Sequence, residues 1–236
     1  MIAERVAAVR DRIARAASRA RRRPEEVTLV AVSKTHPAEA VQEAFAAGVR
    51  HFGENKVQEA EPKVAALAAL RAEGLIWHLV GHLQTNKART AVALFDHIDT
   101  VDDPRLALRL ERAAEEERRP LAVLVQVKLG DEDTKAGVDE PHLFPLLEQL
   151  RSGKRLHVAG LMALPPFDED PERLRPFFRR LRELRDAAKK AGLLRGVELS
   201  MGMSHDLEVA VEEGATMVRV GTAVFGERTA RRGGAA

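Results

Sequence analysis

The 236-residue chain contains no cysteine. Disulfide bonds, thiolate zinc sites and a cysteine nucleophile are therefore excluded, and an intracellular location is the default expectation. No apolar run approaches the ~18 residues that a membrane-spanning helix needs, and Glu4 and Asp11 lie among the arginines of the first segment, unlike a targeting peptide. We expect a cytoplasmic protein that does not bind a membrane.

The chain also lacks a large excess of positive or negative charge. It has 38 Lys and Arg residues and 36 Asp and Glu residues, for a formal net charge of +2. A net charge this small gives no overall electrostatic attraction for nucleic acid. The isoelectric point of about 9.1 reflects arginine runs at residues 21–23 and 231–232. Such runs are typical of solvated chain ends, so we expect no nucleic-acid partner.

Short apolar runs alternate with helical patterns along the whole chain. This alternation specifies a parallel sheet, and eight units are enough to close it into a barrel. The sequence predicts a single (β/α)8 TIM barrel, because an open doubly wound sheet usually carries a GxGxxG turn that is missing after the first strand. The predicted strands are 27–32, 49–54, 75–80, 97–101, 121–129, 156–164, 197–199 and 217–220.

The domain limits follow from composition and from the ends of the pattern. A hydrophobic content of 45% over this length fits one large core, which we place in residues 1–228. Ile2, Val6, Val9 and Ile13 recur at helical spacing and predict an extra N-terminal helix within residues 1–23. Residues 229–236 are rich in glycine and alanine and are predicted to be a disordered tail.

A lysine follows the first strand, at the edge of the sheet where α/β proteins have their active sites. The run at 27–32 is almost wholly apolar, as in a strand covered on both faces, and Lys34 follows its carboxyl end. One interpretation is a surface amine that reaches solvent. The other is an amine kept partly neutral by desolvation or nearby positive charge, which attacks an aldehyde. The strand alone leaves both open.

Small and hydroxyl residues follow the last two strands, where barrels commonly bind phosphate. Glycines let backbone N–H groups approach an anion, and hydroxyl groups donate further hydrogen bonds. Either loop alone is explained by an ordinary turn, whereas the two on neighbouring strands indicate a phosphate site. The candidates are Met201, Gly202 and Ser204 after the seventh strand, and Gly221 and Thr222 after the eighth.

Arg219 lies inside the eighth strand and shares a face with Gly221 by strand alternation. A charge in a barrel strand needs a partner, and both a structural salt bridge and a ligand contact satisfy that need. In a closed barrel the first and eighth strands are neighbours, so Lys34 stands beside the phosphate site. A ligand with an aldehyde and a phosphate fits the set, and pyridoxal 5′-phosphate (PLP) is the common cofactor of that kind.

Six motifs in unbroken order over residues 27–227 carry a family resemblance: VAVSKTHP, FGENKVQE, WHLVGHLQTNK, EDTKAG, GLMAL and LSMGMSHDLEVAVEEGATMVRVGTAVFG. The chain resembles the pyridoxal phosphate homeostasis protein family, whose fold is similar to the barrel domain of alanine racemases. One departure is Lys56, where many members have tyrosine after GEN. The resemblance implies an internal aldimine on Lys34, a phosphate held by Ser204, Gly221 and Thr222 within loops that include Met201 and Gly202, Arg219 facing the pyridine nitrogen, and Asn55 near the ring.

The same residues bear on whether the protein is an enzyme. An arginine at the ring nitrogen disfavours its protonation and makes the cofactor a weak electron sink. Racemisation also requires acid and base groups on both faces of the substrate carbon. Alanine racemases take one such group, a tyrosine, from a second domain. This chain contains no tyrosine. We expect a monomeric PLP carrier that is not an efficient enzyme, with apo PLP-dependent enzymes as transient recipients.

Three other functions stay open. One is a small PLP-dependent racemase or lyase that uses His78, Lys135 or water. Another is a Schiff-base aldolase acting on sugar phosphates. The third, metal-dependent hydrolysis by His78 and His82, is weakest, because the pair straddles a strand end without an HExxH helix. His36 and His205 flank the proposed site and are interpreted as polar loop groups.

Overall fold

The structure is a computed structural model that describes residues 1–130 and 136–227. Its eight parallel strands form a closed barrel in sequence order, with β1 paired to both β2 and β8. The TIM-barrel prediction is confirmed, and the open doubly wound sheet is wrong because β1 and β8 close the ring. The strands are β1 (Thr28–Val32), β2 (His51–Glu54), β3 (Ile76–Leu79), β4 (His97–Val101), β5 (Leu121–Val127), β6 (Leu156–Ala163), β7 (Glu198–Ser200) and β8 (Met217–Val220).

Ten α-helices accompany these strands in the described part of the chain. The predicted helix over residues 57–70 is divided at Leu67, whose backbone leaves helical geometry. The helices are α1 (Ile2–Arg19), α2 (Ala38–Ala46), α3 (Val57–Ala66), α4 (Ala68–Ala72), α5 (Ala88–Leu94), α6 (Pro104–Glu116), α7 (Glu140–Arg151), α8 (Arg175–Lys190), α9 (Leu207–Glu212) and α10 (Thr222–Phe225). Among them, no helix is long and apolar enough to cross a membrane.

Two apolar cores stabilise the barrel, one on each face of the sheet. Strand residues alternate between the faces, and β1, β5, β6 and β8 contribute residues to the interior cluster. A small interior cluster lies inside the ring, and a much larger core fills the space between sheet and helices. The interior cluster consists of Val30, Leu124, Ala159, Met162 and Met217.

The predicted N-terminal helix is confirmed, and it packs beside the seam of the barrel. Val6, Val9 and Ile13 on one face of α1 are buried. The helix contacts α2, α9 and α10, the last two of which follow β7 and β8. The N-terminal segment therefore supports the loops at which the phosphate site is predicted. The predicted tail, residues 229–236, and Lys135 lie outside the described residues.

Candidate cofactor site

The structure brings Lys34 and the loop after β8 to one cavity. Lys34 is half-buried just beyond the end of β1. It lines a cavity of about 290 Å³ with Gly221 and Thr222. Thr35 adopts a positive φ of 68°, which costs a β-branched residue about 1–3 kcal/mol and is typical of functional sites. The lysine and half of the predicted phosphate cradle are therefore adjacent, as the closed barrel requires.

The loop after β7 joins the same site through Ser204. Its Oγ accepts a hydrogen bond from Ala223 N, at 3.3 Å, in the first turn of α10. A Cβ on Gly202 would lie 2.5 Å from Ala210 Cβ, and its φ is +92°, so this position requires glycine. A Cβ on Gly221 would come within 3.3 Å of Val32 O. The two loops thus meet through the Ser204–Ala223 hydrogen bond, and close packing around Gly202 and Gly221 leaves little space for larger side chains there.

An arginine of α1, which the sequence analysis missed, holds the β7 loop in place. Arg12 Nη2 donates to Ser204 O at 3.0 Å, and Arg12 Nε donates to Glu208 Oε1 at 2.6 Å. Burial raises the pKa of Glu208, but the hydrogen bonds and charge of Arg12 outweigh burial, so the net pKa lies below its usual value. The carboxylate stays ionised and keeps the arginine directed at the loop.

Arg219 is buried in the barrel interior, where two neutral groups accept its side-chain hydrogen bonds. Nη1 donates to Ser200 Oγ at 2.6 Å and Nη2 to Ala163 O at 2.8 Å. Burial lowers the pKa of Arg219 to about 10, opposed by the charges of Asp99 and Asp206, so the guanidinium is charged at neutral pH. Within the described ranges, no carboxylate lies at salt-bridge distance from Arg219. A buried cation without a contacting anion favours the ligand interpretation.

For two further predicted site residues, Asn55 and Met201, the structure shows contacts with the protein's own backbone or core. Asn55 follows β2, and its backbone lies against Gly81, where a Cβ would be 2.2 Å from Asn55 O. Met201 is fully buried in the core outside the barrel, and its N–H donates to Met217 O. Met201 therefore supports the loop from behind. A cofactor contact of either residue stays a prediction.

A buried ion pair, also missed from the sequence, lies behind the lysine. Lys63 of α3 is paired with Glu54 at the end of β2, and the two side chains are 9% and 0% exposed. Lys63 Nζ donates to Ser33 O at 2.8 Å, and Ser33 Oγ donates to Glu54 Oε1. Since Ser33 directly precedes Lys34, this network fixes the strand end from which the lysine extends.

The histidines are distributed over separate environments. His36 stacks on Phe225 with ring centroids 5.0 Å apart, and His205 Nε2 contacts Glu169 O at 3.0 Å. Both are loop groups, as predicted. His82 is 60% exposed, whereas His78 is fully buried in β3, so the two do not form a common metal site. Lys56 is exposed and pairs with Glu59.

Burial changes the protonation of two histidines inside the barrel. Burial first, and then the neighbouring charge of His78, lower the pKa of both His51 and His97 to about 4. Both rings are therefore neutral at pH 7. They lie at the amino ends of β2 and β4, away from the edge that carries Lys34.

Comparisons with known proteins agree with the motifs. The family model described as "Alanine racemase, N-terminal domain" matches residues 5–229. The Escherichia coli K12 "Pyridoxal phosphate homeostasis protein" is 44% identical, covering 96% of this chain and 97% of the relative, and the Aquifex aeolicus VF5 protein of the same name is 43% identical, covering 95% and 97%. The solved structure of PipY from Synechococcus elongatus PCC7942, with PLP bound, has a TM-score of 0.85 and 45% identity over 96% of this chain and 100% of that chain.

Proposed function

This chain belongs to the alanine racemase N-terminal domain family and, within it, to the pyridoxal phosphate homeostasis proteins, and from that premise we propose that it binds PLP and maintains the supply of this cofactor. The observation that carries the proposal is the cavity shared by Lys34, Gly221 and Thr222. An amine and an anion cradle that line one cavity match the aldehyde and the phosphate of one PLP molecule.

Each residue of the site has a distinct proposed task. Lys34 Nζ binds the aldehyde covalently. Ser204, Gly221 and Thr222 hold the phosphate, because the short turn into α10 offers N–H groups that precede the helix's own hydrogen bonds. Arg219 lies in the barrel interior and would be the residue beside the ring nitrogen. The fit is supported by Gly221, where a Cβ would occupy space within 3.3 Å of Val32 O.

We further propose that the protein carries PLP without efficient turnover. When bound, PLP supplies a reactive aldehyde and an electron-withdrawing ring. Arg219 is charged and has no proton-accepting role at the ring nitrogen, so it disfavours the protonated ring that strong electron withdrawal needs. The absence of tyrosine removes the phenolic group that alanine racemases use as one of their two acid–base groups.

The test is α-proton exchange. The PLP-loaded protein is incubated in D2O with L-alanine and other small amino acids, and loss of the α-proton signal is followed by NMR. We expect one PLP bound per chain and an exchange rate no higher than that of free PLP at the same concentration. Exchange well above the free-PLP rate, with formation of the D-enantiomer, would instead identify a racemase.

A second prediction concerns the support of the phosphate loop. Arg12→Ala removes the hydrogen bond to Ser204 O, so the loop must be ordered by the ligand at a cost of about 1–2 kcal/mol. We expect the Kd for PLP to rise about 5- to 30-fold, as measured by absorbance titration of the apo protein well below its unfolding temperature.

Arg15→Ala is the matched control, because Arg15 lies one turn further along α1 and pairs with Asp11 on the exposed side. Its Kd should equal that of the unmodified protein. Equal Kd values for the two variants would show that Arg12 has no part in the site.

Other features stay predictions. They are a single domain over residues 1–228, a monomeric state, a cytoplasmic location, the lack of a nucleic-acid partner, and transfer of PLP to apo PLP-dependent enzymes.

A further inference from the structure

A second polar cluster lies inside the barrel, and two of its residues, His51 and His97, are at the strand ends opposite Lys34. His78 Nδ1 contacts Asp99 Oδ2 at 3.1 Å, and the ring of His97 stacks on His78 with centroids 4.3 Å apart. His78 Nε2 contacts His51 Nδ1 at 2.9 Å. His51 and His97 are the first residues of their strands, whereas Lys34 follows the last residue of β1. The cluster shares no residue with the PLP site, although the charge of Asp99 acts on Arg219.

Strand register places these side chains in the barrel interior. Val30 belongs to the interior apolar cluster and pairs with His51. His78 pairs with His97 across β3 and β4, and Asp99 lies two residues beyond His97 on the same face. Three imidazoles and a carboxylate thus replace the apolar layer that usually fills this end of a TIM barrel.

Two atoms of the cluster are buried without a hydrogen-bond partner. They are His97 Nδ1 and Asp99 Oδ1, and only two other side-chain atoms in the described ranges share that condition. Asp99 and His78 are fully buried. Leaving such groups unpaired costs about 1–3 kcal/mol each, so the protein is expected to supply a partner. A cation between them satisfies a carboxylate oxygen and an imidazole nitrogen at once.

We propose that His78, His97 and Asp99 bind one Zn²⁺ ion in the barrel interior. One ligand atom from each lies within 4.8 Å of the other two, and His78 Nδ1 and Asp99 Oδ2 are 3.1 Å apart, close to the spacing of two ligands held at about 2.0–2.2 Å from a shared Zn²⁺. A set of two imidazoles and a carboxylate binds Zn²⁺ in preference to Mg²⁺ or Ca²⁺. The ion links β3 to β4.

His51 supports the site without binding the ion. When His78 donates its Nε2–H to His51 Nδ1, His78 Nδ1 keeps its lone pair and faces Asp99. This is the usual arrangement of a metal-bound imidazole, whose second nitrogen donates to a neighbouring group. Without a metal, the same contacts form a proton-linked chain from Asp99 through His78 to His51, in which His97 Nδ1 and Asp99 Oδ1 stay unpaired.

Metal titration distinguishes these two states. The full-length, PLP-loaded protein is stripped with a chelator and titrated with ZnCl₂ or CoCl₂, followed by elemental analysis, Co²⁺ visible absorption and thermal unfolding. We expect one Zn²⁺ per chain, a visible band typical of low-coordinate Co²⁺ that Zn²⁺ displaces, and a Tm that rises with Zn²⁺ concentration. Failure to bind a stoichiometric ion would overturn the proposal in favour of the proton-linked chain.

Variants locate the ion and keep the result independent of PLP binding. Asp99→Asn keeps the side-chain shape, and His97→Ala removes a ring that is partly accessible; each should weaken Zn²⁺ binding about 100-fold or more. His142→Ala, on the exposed face of α7, is the control and should bind Zn²⁺ normally. All three should keep the PLP absorbance of the unmodified protein. Unchanged Zn²⁺ affinity in both Asp99→Asn and His97→Ala would place any ion elsewhere and reject this site.

Discussion

Lys34→Ala is expected to abolish covalent attachment of PLP. The unmodified protein treated with PLP and borohydride should gain the mass of one reduced cofactor on the peptide that contains residue 34, and the variant should gain none. The reason is chemical, since only a primary amine condenses with the aldehyde, and Lys34 provides the amine that lines the cavity with Gly221 and Thr222. Absorbance spectra before and after reduction give a second readout.

The control for this experiment is Lys56→Ala. Lys56 lies near the barrel edge but is exposed and paired with Glu59, so the variant should be labelled like the unmodified protein. Weak, non-covalent PLP binding is expected to survive in Lys34→Ala, because the phosphate cradle is intact. Full labelling of Lys34→Ala on another residue would remove Lys34 from the site.

The fold and the centre of the site could be predicted because both follow from local patterns. Apolar runs of strand length specify β1 to β8, and closure of eight such units makes β1 and β8 neighbours. The proximity of Lys34 to Gly221 then follows from topology alone. Gly202 and Gly221 could be identified in the same way, since glycine in a short turn signals close backbone approach.

The supports of the site could not be predicted, because they depend on side chains far apart in sequence. Arg12 contacts Ser204 across 192 residues, and Lys63 contacts Ser33 across 30. In the sequence, Arg12 is one of many arginines on an amphipathic helix, and helical periodicity gives no sign of which one points toward the seam. The histidine cluster was missed for the same reason, since strand register, and not spacing, brings His78 to Asp99.

These supports have a common role. The proposed PLP site lies at the seam where the chain's first and last strands meet, and each side of the seam is held from outside the barrel. Arg12 of α1 holds the loop after β7, and Lys63 of α3 holds the end of β1. A barrel strand ends in a fixed direction only if its last backbone groups have partners. The geometry between Lys34 and the phosphate cradle therefore depends on residues that do not contact the ligand.

The ion pair of Glu54 and Lys63 should show the largest effect of this kind on stability. Glu54→Leu leaves Lys63 buried without its counter-charge, and breaking a buried pair in this way costs about 3–5 kcal/mol. Lys63→Met leaves a buried carboxylate and should cost a similar amount. Urea unfolding followed by circular dichroism gives the free energy of unfolding of each variant.

The double variant Glu54→Leu/Lys63→Met separates stability from function. It buries no unpaired charge, so its stability should return to within about 1 kcal/mol of the original protein. The hydrogen bond that Ser33 O accepts and the one that Ser33 Oγ donates are nevertheless lost, and the end of β1 is no longer fixed. We therefore expect PLP affinity to stay reduced, about tenfold, in a protein that is otherwise stable.

The exposed pair of Lys56 and Glu59 provides the matched comparison on the same helix. Lys56→Met should change the free energy of unfolding by less than about 1 kcal/mol, as surface pairs generally do. If Lys63→Met costs no more than Lys56→Met, the buried pair is solvated and does not stabilise the fold. If the double variant binds PLP as tightly as the original protein, Ser33 needs no support, and the position of Lys34 is determined by the β1–β8 seam alone.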